Sequence, residues 1–187
     1  MLTITIPPEK EADIWDESIN EFIHKDAFNG CTLNLEHSLI SISKWESKWH
    51  VPFLSKEKKT EEQTMHYIKC MTINQGINDN VYDHLTVDNI KDISEYINDP
   101  MSATVIIPDP SQPKNRKIIT SERIYYWMSA LQIPFEPCQK WHLNRLLQLI
   151  AVANEENTPP KKMSKSEIMA RNRVLNAQRR AKYNSKG

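Results

Sequence analysis

The stretch from Leu35 to Trp49, LEHSLISISKWESKW, constrains the fold more than any other part of the chain. Its apolar side chains recur at the 3.6-residue period of an α-helix, and charged or small polar residues occupy the opposite side. This pattern predicts an amphipathic helix that packs against other elements. The apolar stripe consists of Leu35, Leu39, Ile42, Trp45 and Trp49.

Four further helices are predicted from apolar spacing and capping residues. Thr60 and Gln63 form a capping box for a helix that runs to about Thr72, and Thr86 caps the next helix. Residues 121–131 and a stretch opened by Pro137 continue the helical pattern. The inward-facing side chains are expected to be Met65, Ile68, Thr72, Ile90, Ile93, Ile97, Ile124, Tyr125, Trp127, Met128, Leu131, Leu143, Leu146, Leu147 and Ile150.

The N-terminal residues are β-prone. Apolar residues alternate with threonines from Leu2 to Ile6, and residues 20–24 and 32–35 are two more candidate strands. Segment 14–19 fits either a strand or a short helical turn, and a hairpin or loop is expected around Asp109. The predicted fold class is therefore mainly α with a small N-terminal antiparallel β element (α+β), a compact helical body and a basic C-terminal helix.

Charge divides the chain into an acidic body and a basic arm. From Pro159 onward there are nine Lys or Arg and one acid, Glu167, whereas the first 158 residues hold 15 bases and 23 acids. Prolines at 159 and 160 mark the boundary. The predicted organisation is an N-terminal β element at 1–35, a helical body at 36–158 and a basic helical arm at 159–187. In the arm, Ser164 and Glu167 form a capping box, and Met163 with Ile168 a hydrophobic staple.

Composition argues against most catalytic and cofactor-dependent classes. Three glycines leave no glycine-rich phosphate loop, three separated cysteines form no metal or disulfide pattern, and six histidines never pair at zinc spacing. No catalytic motif stands out, so we expect no enzyme activity, no cofactor and no metal. The absence of a long apolar run or secretory signal favours the cytoplasm, with no membrane contact.

The basic arm leaves three interpretations open: a solvated end, a helix that docks on an acidic protein surface, and a nucleic-acid contact. Trp141 and His142, beside Asn144 and Arg145, also have the composition of a base-stacking edge. Burial is the favoured interpretation for that pair, because the leucines that follow predict a core helix.

Three blocks of the chain resemble small proteins of tailed bacteriophages and prophages that are regarded as tail assembly chaperones. The blocks are TLNLEHSLISISKWESKW (Thr32 to Trp49), ITSERIYYWMSALQIPFEPCQKWHLNRLLQLI (Ile119 to Ile150) and PPKKMSKSEIMARNRVLNAQRRAKYNSKG (Pro159 to Gly187). The string YIKCMT at Tyr67 to Thr72 fits the same pattern, whereas PFEPCQKW is longer than the family pattern. The number and order of these blocks carry the resemblance, since none of them is a catalytic signature.

The resemblance implies a phage-encoded protein of the bacterial host cytoplasm that coats the tape-measure protein until tail-tube subunits displace it. It also implies a longer frameshift-related chaperone and the tail-tube protein as further partners, while self-association and nucleic-acid contact stay open. A nucleic-acid-binding regulator and a structural tail-completion component are the alternative functions. The predicted partner-binding residues are Trp45, Trp49, Tyr126, Ile168, Arg171, Leu175, Arg179, Arg180 and Lys182.

Overall fold

The computed structural model describes residues 1–104, 118–157 and 165–183. Their fold is α+β, as predicted, with four short strands followed by helices. The elements are β1 (Leu2–Ile6), β2 (Ala12–Asp16), β3 (Glu21–Lys25), β4 (Cys31–Leu35), α1 (Leu39–Trp49), α2 (Glu61–Met71), a 3₁₀ helix (Asp79–His84), α3 (Val87–Asn98), α4 (Ser121–Ala130), α5 (Phe135–Cys138), α6 (Leu143–Asn157) and α7 (Lys165–Tyr183).

The strands form two separate two-stranded antiparallel sheets. β1 pairs with β4, from Leu2 opposite Leu35 to Ile6 opposite Cys31, and buries the alternate side chains of both strands in the core. β2 pairs with β3 in a hairpin inserted between those two strands. Segment 14–19, for which strand and helical turn were both open, therefore contains the end of a strand and the hairpin turn.

The first helix begins later than the sequence pattern predicted. Leu35 is the last residue of β4, and α1 starts at Leu39 after the N-cap Ser38, whose hydroxyl accepts a 3.2 Å hydrogen bond from the Ser41 amide. Placing Leu35 in the helix was therefore wrong, although Leu35 is fully buried. Its hydrogen-bonded strand pairing with β1 decides its conformation, while helical spacing alone could not distinguish the two.

Both predicted capping residues of α2 and α3 are confirmed. Thr60 and Thr86 each accept a hydrogen bond from the amide of the third residue of the helix, and the side-chain oxygens of Gln63 and Asn89 each accept one from the cap amide. Most predicted inward positions are buried or half-buried. Ile90 is the exception, because it borders an open groove between α2 and α3.

The last helix of the body does not start at Pro137, contrary to the prediction. Residues Phe135–Cys138 form the separate short helix α5, and α6 begins at Leu143. The Leu143 amide donates a 2.7 Å hydrogen bond to the His37 carbonyl oxygen, which fixes the start of α6 against the segment before α1. Leu143, Leu146 and Ile150 are buried, as predicted.

The chain divides into two compact units, Met1–Asn154 and Glu155–Gly187. The first unit contains one hydrophobic core, to which β1, β4 and the helices α1 to α6 contribute. The second unit contains α7, a helix of 19 residues. The hairpin or loop predicted around Asp109 and the arm's capping residues Met163 and Ser164 lie outside the described residues.

Candidate partner-binding surfaces

Trp45, a predicted contact residue, lies in the core instead. Its side chain is 1% exposed, and its indole N–H donates a 2.8 Å hydrogen bond to the Gln63 carbonyl oxygen on α2. The edge of the Phe53 ring packs against it, with 5.2 Å between ring centroids. The burial of Trp45 confirms its predicted place in the apolar stripe of α1, whose apolar face points towards α2, and a ring this deeply buried leaves almost no surface for a partner.

Trp49 is half-buried beside Trp45, and their ring centroids lie 6.3 Å apart. Its indole N–H donates a 3.2 Å hydrogen bond to Nδ1 of His66, and the Lys48 ammonium lies 5.1 Å from its ring centroid. Burial, together with the positive charge of nearby lysines, lowers the pKa of His66. Only part of the Trp49 ring is therefore available to a partner.

Tyr126 is the predicted aromatic that remains open to solvent. It lies on α4 with 70% of its side chain exposed, while Ile124 and Met128 on the same helix are buried. The preceding residue, Tyr125, turns towards α5, where its hydroxyl donates to the Gln139 side chain. Tyr126 therefore has no role in the core and is free to contact another molecule.

Helix α7 carries large apolar side chains that solvent reaches. Ile168, Met169, Val174 and Leu175 are between 38% and 73% exposed. Ile168 and Leu175 are seven residues apart and share one face of the helix. Arg180 is exposed, and Arg171, Arg179 and Lys182 lie within α7, although their side chains are outside the described part of the chain.

The hairpin of β2 and β3 is a surface that the sequence analysis missed. Ile14, Trp15, Ile19, Phe22 and Ile23 are between 40% and 69% exposed. Ile14 lies opposite Ile23 and Trp15 opposite Phe22, so apolar pairs occur on both faces of the hairpin. The sequence did contain a signal for this surface, because each strand has two adjacent apolar residues. Neighbouring side chains of a strand point to opposite faces, so they cannot both face one core.

The hairpin is also rich in carboxylates. His24 Nδ1 lies 2.7 Å from Asp13, its cross-strand partner, and Nε2 lies 3.3 Å from Glu11. The hydrogen bond to Asp13 raises the pKa of His24, and the charges of Asp13 and Asp26 act in the same direction. Asp16 accepts hydrogen bonds from the amide and hydroxyl of Ser18, which fixes the turn.

A buried polar cluster joins the segment before α1 to α2, to α3 and to the residue that precedes α6. The Tyr67 hydroxyl and His37 Nδ1 share a 2.5 Å hydrogen bond, and the rings of His37 and His142 lie 5.0 Å apart between centroids. His142 Nε2 donates to the Tyr96 carbonyl oxygen at 2.9 Å. Because these groups are buried and satisfy one another, their arrangement supports a structural role.

The favoured burial of the Trp141 and His142 pair is confirmed for His142. Trp141 is half-buried, and the Arg145 guanidinium covers its ring at 4.5 Å from the centroid. A base that stacked on this face of Trp141 would have to displace Arg145.

An open groove of about 590 Å³ lies beside α2, the 3₁₀ helix and α3. Met65, Leu85 and Ile90 supply apolar lining, Glu61 and Asp83 supply acidic side chains, and Lys59 supplies a basic one. The apolar part of this lining suits the apolar side of an amphipathic helix.

The described residues contain no group of three or more His, Cys, Asp or Glu side chains arranged to hold a metal ion. Within the same residues, no helix has both the length and the apolar character needed to cross a bilayer. No protein-family model, curated protein or solved structure matches this chain.

Proposed function

We propose that this protein is a non-enzymatic tail assembly chaperone that binds and solubilises the tape-measure protein during phage tail formation. The observation that carries the proposal is helix α7, whose large apolar side chains are exposed along a basic helix. Its face with Ile168 and Leu175 offers an apolar stripe to a helical client. The sequence resemblance supplies the identity of the client, and the host cytoplasm is the corresponding compartment.

Two further surfaces support the proposal. Tyr126 is exposed on α4, and the groove lined by Met65, Leu85 and Ile90 accepts apolar side chains of a helix. A holdase of this kind needs many weak sites along a long client, because tail-tube subunits must later displace it. Small exposed patches fit that requirement better than one large apolar interface.

Co-expression with the tape-measure protein tests the proposal. We expect the client to be soluble with the wild-type chain, insoluble without it, and less soluble with the double variant Ile168→Ser and Leu175→Ser. Leu54→Ser is the matched control, because Leu54 is 37% exposed and Leu175 is 38% exposed. A client that stays insoluble with the wild-type chain contradicts the proposal.

A nucleic-acid-binding regulator is the second candidate, favoured by the six Lys or Arg of α7 against one acid. Cations on one helix neutralise phosphates and make binding strongly salt-dependent. Salt-sensitive retention of DNA or RNA that disappears when residues 159–187 are deleted would support this function. If the chain without residues 159–187 still bound the tape-measure protein, the arm would not be the surface through which the chaperone binds its client.

A further inference from the structure

The hairpin of β2 and β3 has no hydrophobic core of its own. Two strands of five residues are marginal in water, and each face of this hairpin carries an exposed apolar pair. Trp15 and Phe22 pack edge to face, with 4.9 Å between ring centroids. Phe22 is nevertheless 69% exposed, so a large apolar area is left for another molecule to cover.

The charge around these apolar pairs is strongly negative. Residues 9–26 contain seven Asp or Glu and two Lys. Three of the acids, Glu11, Asp13 and Asp26, surround His24 within 3.7 Å. An occupant of the hairpin is therefore expected to combine apolar side chains with positive charge.

Helix α7 has the complementary composition. Residues 165–183 contain six Lys or Arg and one Glu, and Arg173 and Arg180 are exposed. Its apolar face with Ile168 and Leu175 is exposed as well. A helix of 19 residues is about 28 Å long, whereas a strand of five residues is about 17 Å, so a helix of this length is long enough to cover such a hairpin.

We propose that the hairpin of one copy of this chain binds helix α7 of a second copy. The opposite charges of the two surfaces and the apolar side chains that each exposes carry this assignment, and we commit to a second copy as the source of the helix. Because the hairpin and α7 are different surfaces, the contact is heterologous and extends to further copies unless it closes into a ring. This contact between copies forms without the tape-measure protein. Only the expectation that the tape-measure protein displaces the hairpin from α7 rests on the proposed function.

Charge reversal on the full-length chain tests the contact. The hairpin variant carries Glu17→Lys and Glu21→Lys, and the arm variant carries Arg173→Glu and Arg180→Glu. A matched control carries Glu57→Lys and Asp92→Lys, two exposed acids that are not part of the hairpin. Sedimentation velocity over a concentration series measures self-association of each protein, and thermal melting checks that each remains folded.

We expect the wild type and the control to associate with increasing concentration, and added salt to weaken the association. Each reversal variant should associate at least about tenfold more weakly, a change of about 1.4 kcal/mol. An equimolar mixture of the two variants should associate again, because the arm of one meets the hairpin of the other. This recovery also shows that neither variant lost association by unfolding.

A wild-type chain that stays monomeric at its highest soluble concentration overturns the proposal. So does a mixture of the two variants that fails to recover while both melt like the wild type. A monomer in which hydrogen exchange shows mutual protection of hairpin and α7 would place the arm on its own chain, and this also overturns a contact between copies.

Discussion

The Glu46 carboxylate accepts a 2.8 Å hydrogen bond from the backbone amide of Ser121, 75 residues further along the chain. Its other oxygen accepts a 2.8 Å bond from the Phe53 amide. Ser121 is the first residue of α4, where backbone amides lack partners within the helix and favour a negative charge. One buried side chain therefore holds both the segment after α1 and the start of α4.

Replacing Glu46 by alanine should lower the free energy of unfolding by about 2 to 3 kcal/mol, because two buried amides lose a charged acceptor. Urea denaturation measures the change. Glu57→Ala is the control, since Glu57 is exposed and its removal should cost less than about 0.5 kcal/mol. Equal effects of the two substitutions would argue against the role assigned to Glu46.

Trp45→Ala should destabilise the fold by about 3 to 5 kcal/mol, since the fully buried ring leaves a cavity in the core. Trp49→Ala should cost clearly less, because that ring is only half-buried. The same denaturation experiment compares the two variants. An unchanged stability of the Trp45 variant with weakened client binding would instead place Trp45 on the contact surface.

Gly30→Ala should destabilise the chain more than Gly76→Ala. Both glycines have a positive φ, +78° and +71°, which disfavours alanine by about 1 to 2 kcal/mol. At Gly30 a Cβ atom would also lie 3.0 Å from the Ile6 carbonyl oxygen, whereas at Gly76 it would meet open space. Both variants share the penalty of a positive φ, so the difference between their melting temperatures measures the effect of the steric contact at Gly30. Equal melting temperatures would mean that the backbone near Gly30 shifts to accommodate the Cβ atom without loss of stability.

Acidification should weaken the fold through His37. Burial lowers the pKa of His37 to about 3, and the neighbouring His142 acts in the same direction. The unfolded chain binds a proton near pH 6.5 while the folded chain does not, so stability is full above that pH and falls below it. The free energy of unfolding of the wild type should drop by about 1 kcal/mol between pH 6 and pH 5. In His37→Gln we expect the free energy of unfolding to fall less over the same pH range. Identical slopes would show that another group dominates this range.

Histidine titration followed by NMR tests whether the hairpin forms with the register described. The hydrogen bond between Asp13 and His24 depends on their cross-strand pairing and raises the pKa of His24. Asp13→Asn should move that pKa down towards its ordinary value. The pKa of His24 in wild type would already be ordinary if the strands were unpaired or shifted by one residue.

The sequence predicted the elements whose signals are local. Capping at Thr60 and Thr86 depends on residues three apart, and the period of α1 depends on one helix face, so each could be found without tertiary information. The start of α1 was misplaced because Leu35 fitted both the helical stripe and the candidate strand 32–35, and its pairing with Leu2 decides for the strand. Likewise, α6 starts at Leu143 through its bond to the distant His37 carbonyl.

The candidate surfaces were harder to predict than the fold. Helical spacing marks Trp45 and Trp49 as one apolar face, but only the packing of α2 decides that the first is buried and the second half-buried. The hairpin was missed because Ile14 and Trp15 look like ordinary core residues in a strand. Whether a neighbouring layer covers such residues depends on tertiary structure, and here Ile14 and Trp15 are each 45% exposed.

Calorimetric titration of the purified chain with helical peptides from the tape-measure protein tests most directly whether the chain holds that client reversibly through α7. We predict binding with a negative heat-capacity change, as expected for burial of apolar surface, and at least about tenfold weaker binding for Ile168→Ser with Leu175→Ser. Leu54→Ser should bind like the wild type. No binding by the wild-type chain, or equal affinity of the wild type and the α7 variant, would contradict the account.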